Sequence, residues 1–170
     1  MITSITEELS LTRQHLLQAL SLFSAADFNI VPFTGSWTAG QVTEHIFKSI
    51  NGVPHLLTGA SMPTERDPAR NVAQLRALFL DFTAKMKSPD FVLPSNEPKT
   101  YATLVKGVAE ILTAIIDVSK TIDTSLTIAN FDFPGSGPLT RLELLHFISV
   151  HTQRHTHQLK DIHKRLQEGA

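Results

Sequence analysis

Residues 140–165, TRLELLHFISVHTQRHTHQLKDIHKR, carry a helical period without interruption. Leu144, Ile148, Leu159 and Ile162 recur on one stripe, as the 3.6-residue turn requires of a core-facing helix. Thr140 followed by Glu143 is a capping-box pattern, in which each side chain satisfies a backbone N–H of the first turn. His151 and His155 stand four residues apart on this same stripe, with Gln158 almost in line. Polar residues therefore interrupt the face that should be buried.

The rest of the chain repeats the helical pattern. Ser4–Phe23 places Ile5, Leu9, Leu16, Leu20 and Phe23 at helical spacings. A second helix opens at the Thr38–Gln41 capping box and carries Val42, Ile46, Ile50 and Val53, with Asn51, Gly52 and Pro54 bending or ending it. A helix is expected at about Ala69–Lys85 and another at Tyr101–Ser119. Asp27–Trp37, Gly59–Pro68, the Pro89–Pro98 stretch and Asn130–Pro138 read as connections, the last because Pro134, Gly135, Gly137 and Pro138 punctuate it. Strand signals are absent from this reading. The expectation is an all-α bundle of four principal helices with one shorter accessory helix, a single domain over residues 1–170.

Composition narrows the function. Fifteen Lys and Arg against sixteen Asp and Glu give a net charge of −1, too little field for nucleic acid or an anionic membrane surface. The most apolar stretch, Leu104–Val118, is broken by Lys106, Glu110 and Asp117 and is too short for a bilayer span. Met1–Ser10 has no basic stretch followed by an apolar run, so no signal peptide is expected, and a cytoplasmic location fits the lack of Cys. Without Cys there is no disulfide framework, Cys nucleophile or iron–sulfur cluster, and a borderline metal would need imidazole and carboxylate ligands. Eight His are present, five of them between positions 146 and 163.

Two imidazoles turned inward cost about 1–3 kcal/mol for each group left unsatisfied. A metal ion would satisfy both, and so would hydrogen bonds to backbone and water. His45 lies beside Val42 on the second helix, within one turn of Ser49, where facing helices could bring it to the same site. His146 and His157 fall off this face and read as surface or interface residues, Arg154 as a solvated residue at the rim. Glu44, adjacent to His45, points elsewhere. Trp37 reads first as packing at the start of the second helix and second as a pocket wall. Gln158 suits either a role in orienting a ligand or plain packing.

Two motifs carry a family likeness. The run from Ser36 and Trp37 through Thr38 and Gln41 to His45, eight residues after the Trp, resembles the second-helix signature of the DinB superfamily. Pro138–Glu143 followed by His151-x-x-x-His155-x-x-Gln158 resembles that family's last helix. The resemblance implies a four-helix bundle holding a divalent metal, often nickel or zinc, on His45, His151 and His155. Three protein ligands leave a position for water or substrate. Characterised relatives include transferases that use a small thiol such as bacillithiol or mycothiol, and a mycothiol-dependent isomerase. The expected activity is then small-thiol transfer or a related hydrolysis, with a bound thiol or water as nucleophile, a small-molecule substrate with some hydrophobic part, and a homodimer. The rival expectation is a non-catalytic metal sensor or binding module, because no inward carboxylate or Tyr offers a general acid or base. A metal-free interaction domain is the third.

Overall fold

The computed structural model describes residues 4–169. Six α-helices are present among these residues: α1 (Ile5–Leu20), α2 (Ala39–Ile50), α3 (Val53–Thr58), α4 (Val72–Leu80), α5 (Tyr101–Ser119) and α6 (Arg141–Glu168). Three carry complete capping boxes at their starts: Ser4 with Glu7, Thr38 with Gln41, and Thr140 with Glu143. Each box satisfies backbone donors that have no partner within the helix, so these starts are fixed by local chemistry before any packing.

The four longest helices, α1, α2, α5 and α6, close a ring of contacts: α1 packs on α5 and α6, and α2 packs on the same two. Their inward stripes form the main core. Leu16, Leu20, Ile46, Ile50, Leu112, Ile115, Leu145 and Ile148 are all buried within it. Gly107 lets α5 approach the Phe47 ring of α2, since a Cβ there would stand 3.0 Å from that ring. Short α4 lies across α6 and adds a satellite cluster of Leu75, Phe79 and Val150, with Phe133 and Phe147 packed against it.

The fold is mostly helical, and it also contains a small three-stranded sheet, which corrects the all-α expectation. Strands β1 (Ser61–Met62), β2 (Thr127–Phe133) and β3 (Gly137–Thr140) pair antiparallel in the order β1-β2-β3. The register sets Ser61 against Ile128 and Phe133 against Gly137. The Pro-Gly pair that reads as loop is the hairpin's turn. Ser136 N–H donates to the Phe133 carbonyl at 3.0 Å, with Pro134 and then Gly135 between them, and Gly135 has φ of 79°. That is type II turn chemistry, which needs φ above zero at the second central residue. Pro138 is tolerated because β3 is an edge strand.

Helix α4 is shorter than the expected Ala69–Lys85. At its C-terminus, Asp81 Oδ1 accepts from Thr83 N–H and Oγ–H, a local turn that competes with helix. At its N-terminus, Asp67 Oδ1 takes the Ala69 N–H, and Glu143 Oε1 takes the Asn71 N–H. Helix α1 likewise stops at Leu20, short of Phe23. Among the described residues, no helix is long and apolar enough to cross a membrane.

Candidate metal centre

Helix α6 is the spine of the site. Its start is anchored by Glu143, whose carboxylate is fully buried and accepts from both terminal nitrogens of Arg66, each at 2.7 Å. The same carboxylate accepts the backbone N–H groups of Thr140 and Asn71. Burial works against the Glu143 charge, yet Arg66 and the two N–H groups outweigh it and hold its pKa below the usual carboxylate value. This clamp fixes where α6 begins relative to the chain before α4. Three turns further on, the inward stripe presents His151 and His155.

The two reach across to α2. His45 Nε2 lies 3.1 Å from His151 Nε2, and His155 Nε2 lies 3.2 Å from the same atom. The three side chains are all buried, and their candidate ligand atoms lie within 4.8 Å of one another. In His45 and His155 the far nitrogen tells the tautomer. His45 Nδ1–H donates to the Val92 carbonyl at 2.9 Å, and His155 Nδ1–H donates to Gln158 Oε1 at 2.8 Å. Burial first, and the neighbouring His45 second, push the His155 pKa down to about 3. Burial also lowers His45 and, with its two His neighbours, takes His151 well below its ordinary value. All three rings are therefore neutral near pH 7.

That protonation pattern suits a cation better than a closed hydrogen-bonded cluster. The Nδ1–H bonds leave His45 and His155 with Nε2 lone pairs, both directed at His151. A proton on His151 Nε2 can serve only one of them. A proton on His151 Nδ1 serves neither, because that buried nitrogen has no hydrogen-bond partner among the described residues. One cation would accept all three lone pairs at once. Two imidazole nitrogens each about 2.0–2.1 Å from one ion stand roughly 2.9 Å apart at a right angle and roughly 3.4 Å at a tetrahedral angle. The observed 3.1 and 3.2 Å fall between these limits. The residues fit a divalent ion.

The remaining neighbours sort as follows. Trp37 does both things considered for it, packing on the core and stacking obliquely on His45 with ring centres 5.3 Å apart. Glu44 points away and pairs with Lys99 at 2.7 Å and Lys48 at 3.4 Å. Arg154 is not a solvated rim residue, which corrects the sequence reading. Its guanidinium donates to the carbonyls of Phe79, Asp81 and Ala84, taking over the acceptors left at the end of α4. His157 is exposed, as expected, whereas His146 is half-buried beside Arg76 Nη1 at 3.5 Å. Sequence reasoning missed the Val92 carbonyl. No signal in the sequence pointed to it, since of the run Phe91-Val92-Leu93 only Val92 is buried while Phe91 and Leu93 are exposed.

The histidines form part of the wall of a cavity of about 1280 Å³. Its other walls come from Trp37, the end of α4, the 84–93 segment, the β2–β3 hairpin and the middle of α6.

A mostly helical fold with a buried three-His cluster at a cavity wall could hold a metal ion. The sequence matches the DinB superfamily over residues 8–159, nearly the whole chain, and the protein belongs to that superfamily. No curated protein and no solved structure matches the sequence.

Proposed function

We propose that this is a metal-dependent enzyme of the DinB type, a four-helix bundle that holds nickel or zinc on His45, His151 and His155 and transfers a small thiol to an electrophile. The observation that carries this reading is the pair of fixed Nε2 lone pairs converging on His151 Nε2 beside a large cavity. A bound ion lowers the pKa of a coordinated thiol or water towards neutrality and so makes a nucleophile. The chain's own groups supply the rest. Val92 and Gln158 hold the Nδ1 protons of His45 and His155, which keeps both Nε2 atoms free and the rings in one orientation. Phe79 and Phe147, packed against His151, limit water on that side. Three protein ligands leave coordination space towards the cavity, the arrangement of a catalytic site. A homodimer and a cytoplasmic location complete the reading, on family likeness and composition.

The related hydrolase uses the same groups with water in place of thiol. A non-catalytic module is favoured by one observation: among the described residues, no carboxylate or tyrosine hydroxyl hydrogen-bonds the three rings. The experiment is turnover of an electrophilic fluorophore such as monochlorobimane by metal-stripped protein reloaded with nickel or zinc, with and without low-molecular-weight thiols. Turnover that needs both metal and thiol supports the transferase. Metal-dependent hydrolysis of ester or amide substrates with no thiol requirement moves the assignment to a hydrolase. Metal bound at one equivalent with no turnover of either kind supports the non-catalytic module.

A further inference from the structure

Most soluble domains scatter their exposed apolar side chains singly. Here they gather. Among the described residues, six of the eleven large hydrophobic side chains that remain exposed line the cavity that holds the histidines: Phe33, Leu78, Phe82, Met86, Phe91 and Leu93. Phe91 is 78% exposed. They come from three separate parts of the chain: the connection before α2, the end of α4 and the segment that follows it. No single amphipathic helix accounts for the cluster.

Two of these rings are held by α6. The Phe82 ring stacks on His157 with centres 4.3 Å apart and planes 8° from parallel, and the Arg165 guanidinium sits over Phe33 at 5.7 Å. A rim ring that is already positioned loses less rotamer freedom when a ligand arrives. Charge gives the second constraint. Among cavity-lining cations, Lys48 is committed to Glu44 and the Leu93 carbonyl, and Arg154 to backbone carbonyls. Lys85 and Lys87 are matched in number by Asp132 of the hairpin and Asp161 of α6 among the lining residues, and none of these four forms an ion pair among the described residues. The balance offers no net attraction to an anion or a cation. The cavity is also concave and ends on buried imidazoles, which a flat protein partner would not reach.

We infer that the cavity binds an uncharged small molecule with a bulky hydrophobic body, with its apolar part among Phe33, Phe82, Met86 and Phe91. This rests on the proposed function and deepens it by giving the chemical class of the second substrate. The binding itself does not require the metal, so the two stand or fall on different readouts.

The probe is N-phenyl-1-naphthylamine, an uncharged fluorophore, titrated into the full chain with metal content per chain measured on the same sample. Saturable one-to-one binding is expected, weakened at least tenfold in Phe82→Ser/Phe91→Ser and unchanged in Leu11→Ser/Leu22→Ser, which removes exposed apolar groups outside the cavity. The sulfonated analogue, 8-anilinonaphthalene-1-sulfonate, should bind no tighter. Circular dichroism and the thermal midpoint establish that the rim variant is folded, and Phe33→Ser provides an independent rim variant if it is not. The inference is overturned by non-saturable binding, by equal loss in the control variant, by tighter binding of the sulfonate, or by a dimer that covers the rim and excludes the probe. Probe binding by protein that takes up neither nickel nor zinc on incubation would leave this inference standing and remove the catalytic one.

Discussion

Gln158 shows how much one side chain can decide. Its Oε1 accepts the His155 Nδ1–H at 2.8 Å and so settles which His155 nitrogen is free. Gln158→Ala should weaken nickel or zinc binding about 10- to 100-fold, the usual loss when such a partner is removed. Competition with a chromophoric chelator checks this, and unchanged affinity would mean that packing alone orients the ring. The His151–His155 pair was legible because four-residue spacing on an apolar stripe has only one geometric reading. The partner of His45 was not legible. Every residue has a backbone carbonyl, so nothing in the letters singles out Val92, 47 positions away. Arg154 failed for the same reason, since its acceptors are backbone carbonyls about 70 residues earlier.

Among the elements, α6 depends on its start. Thr140 accepts the Glu143 N–H and donates to the Pro68 carbonyl, while Glu143 gathers Arg66 and two backbone donors. Glu143→Gln keeps the shape but removes the charge, and at pH 7 should cost about 2 kcal/mol in urea unfolding, because Arg66 is left largely without its partner. Helix starts were well placed by the capping boxes at Thr38 and Thr140, and α5 came out with the expected bounds. The strands were not foreseen. β1 has two residues, below any periodic signal, and the β2–β3 turn is built from the same Pro and Gly that mark irregular loops.

For the whole molecule, the buried histidines and the paired carboxylates together set the response to acid. Glu143 and Glu8 both have pKa values lowered from the ordinary 4.5. For Glu8, burial opposes the charge, but hydrogen bonds from Arg76 and Ser149 across α1, α4 and α6 outweigh it. A carboxylate whose folded pKa is depressed binds a proton more readily when unfolded. Its stabilisation is complete above the unfolded value and lost as pH falls through the folded one. Below about pH 6.5 the unfolded chain takes up protons on His45, His151 and His155 that the folded chain refuses, so unfolding free energy should already decline there, and it should fall further below about 4.5 as the carboxylates titrate, with a shallower fall in that lower range in Glu143→Gln. A fall of equal steepness in that variant would assign the acid response to other groups. The mostly helical character was readable from apolar periodicity, whereas the cavity was not. Its rim joins residues from the 33, 78–93 and 131–136 regions, which only the folded chain brings together.

Metal content per chain, by elemental analysis of the purified protein and of His155→Ala, tests the central claim most directly. The account predicts close to one equivalent of nickel or zinc in the parent after incubation with both, and little in the variant. No bound metal in the parent, or the same content in both, would contradict it.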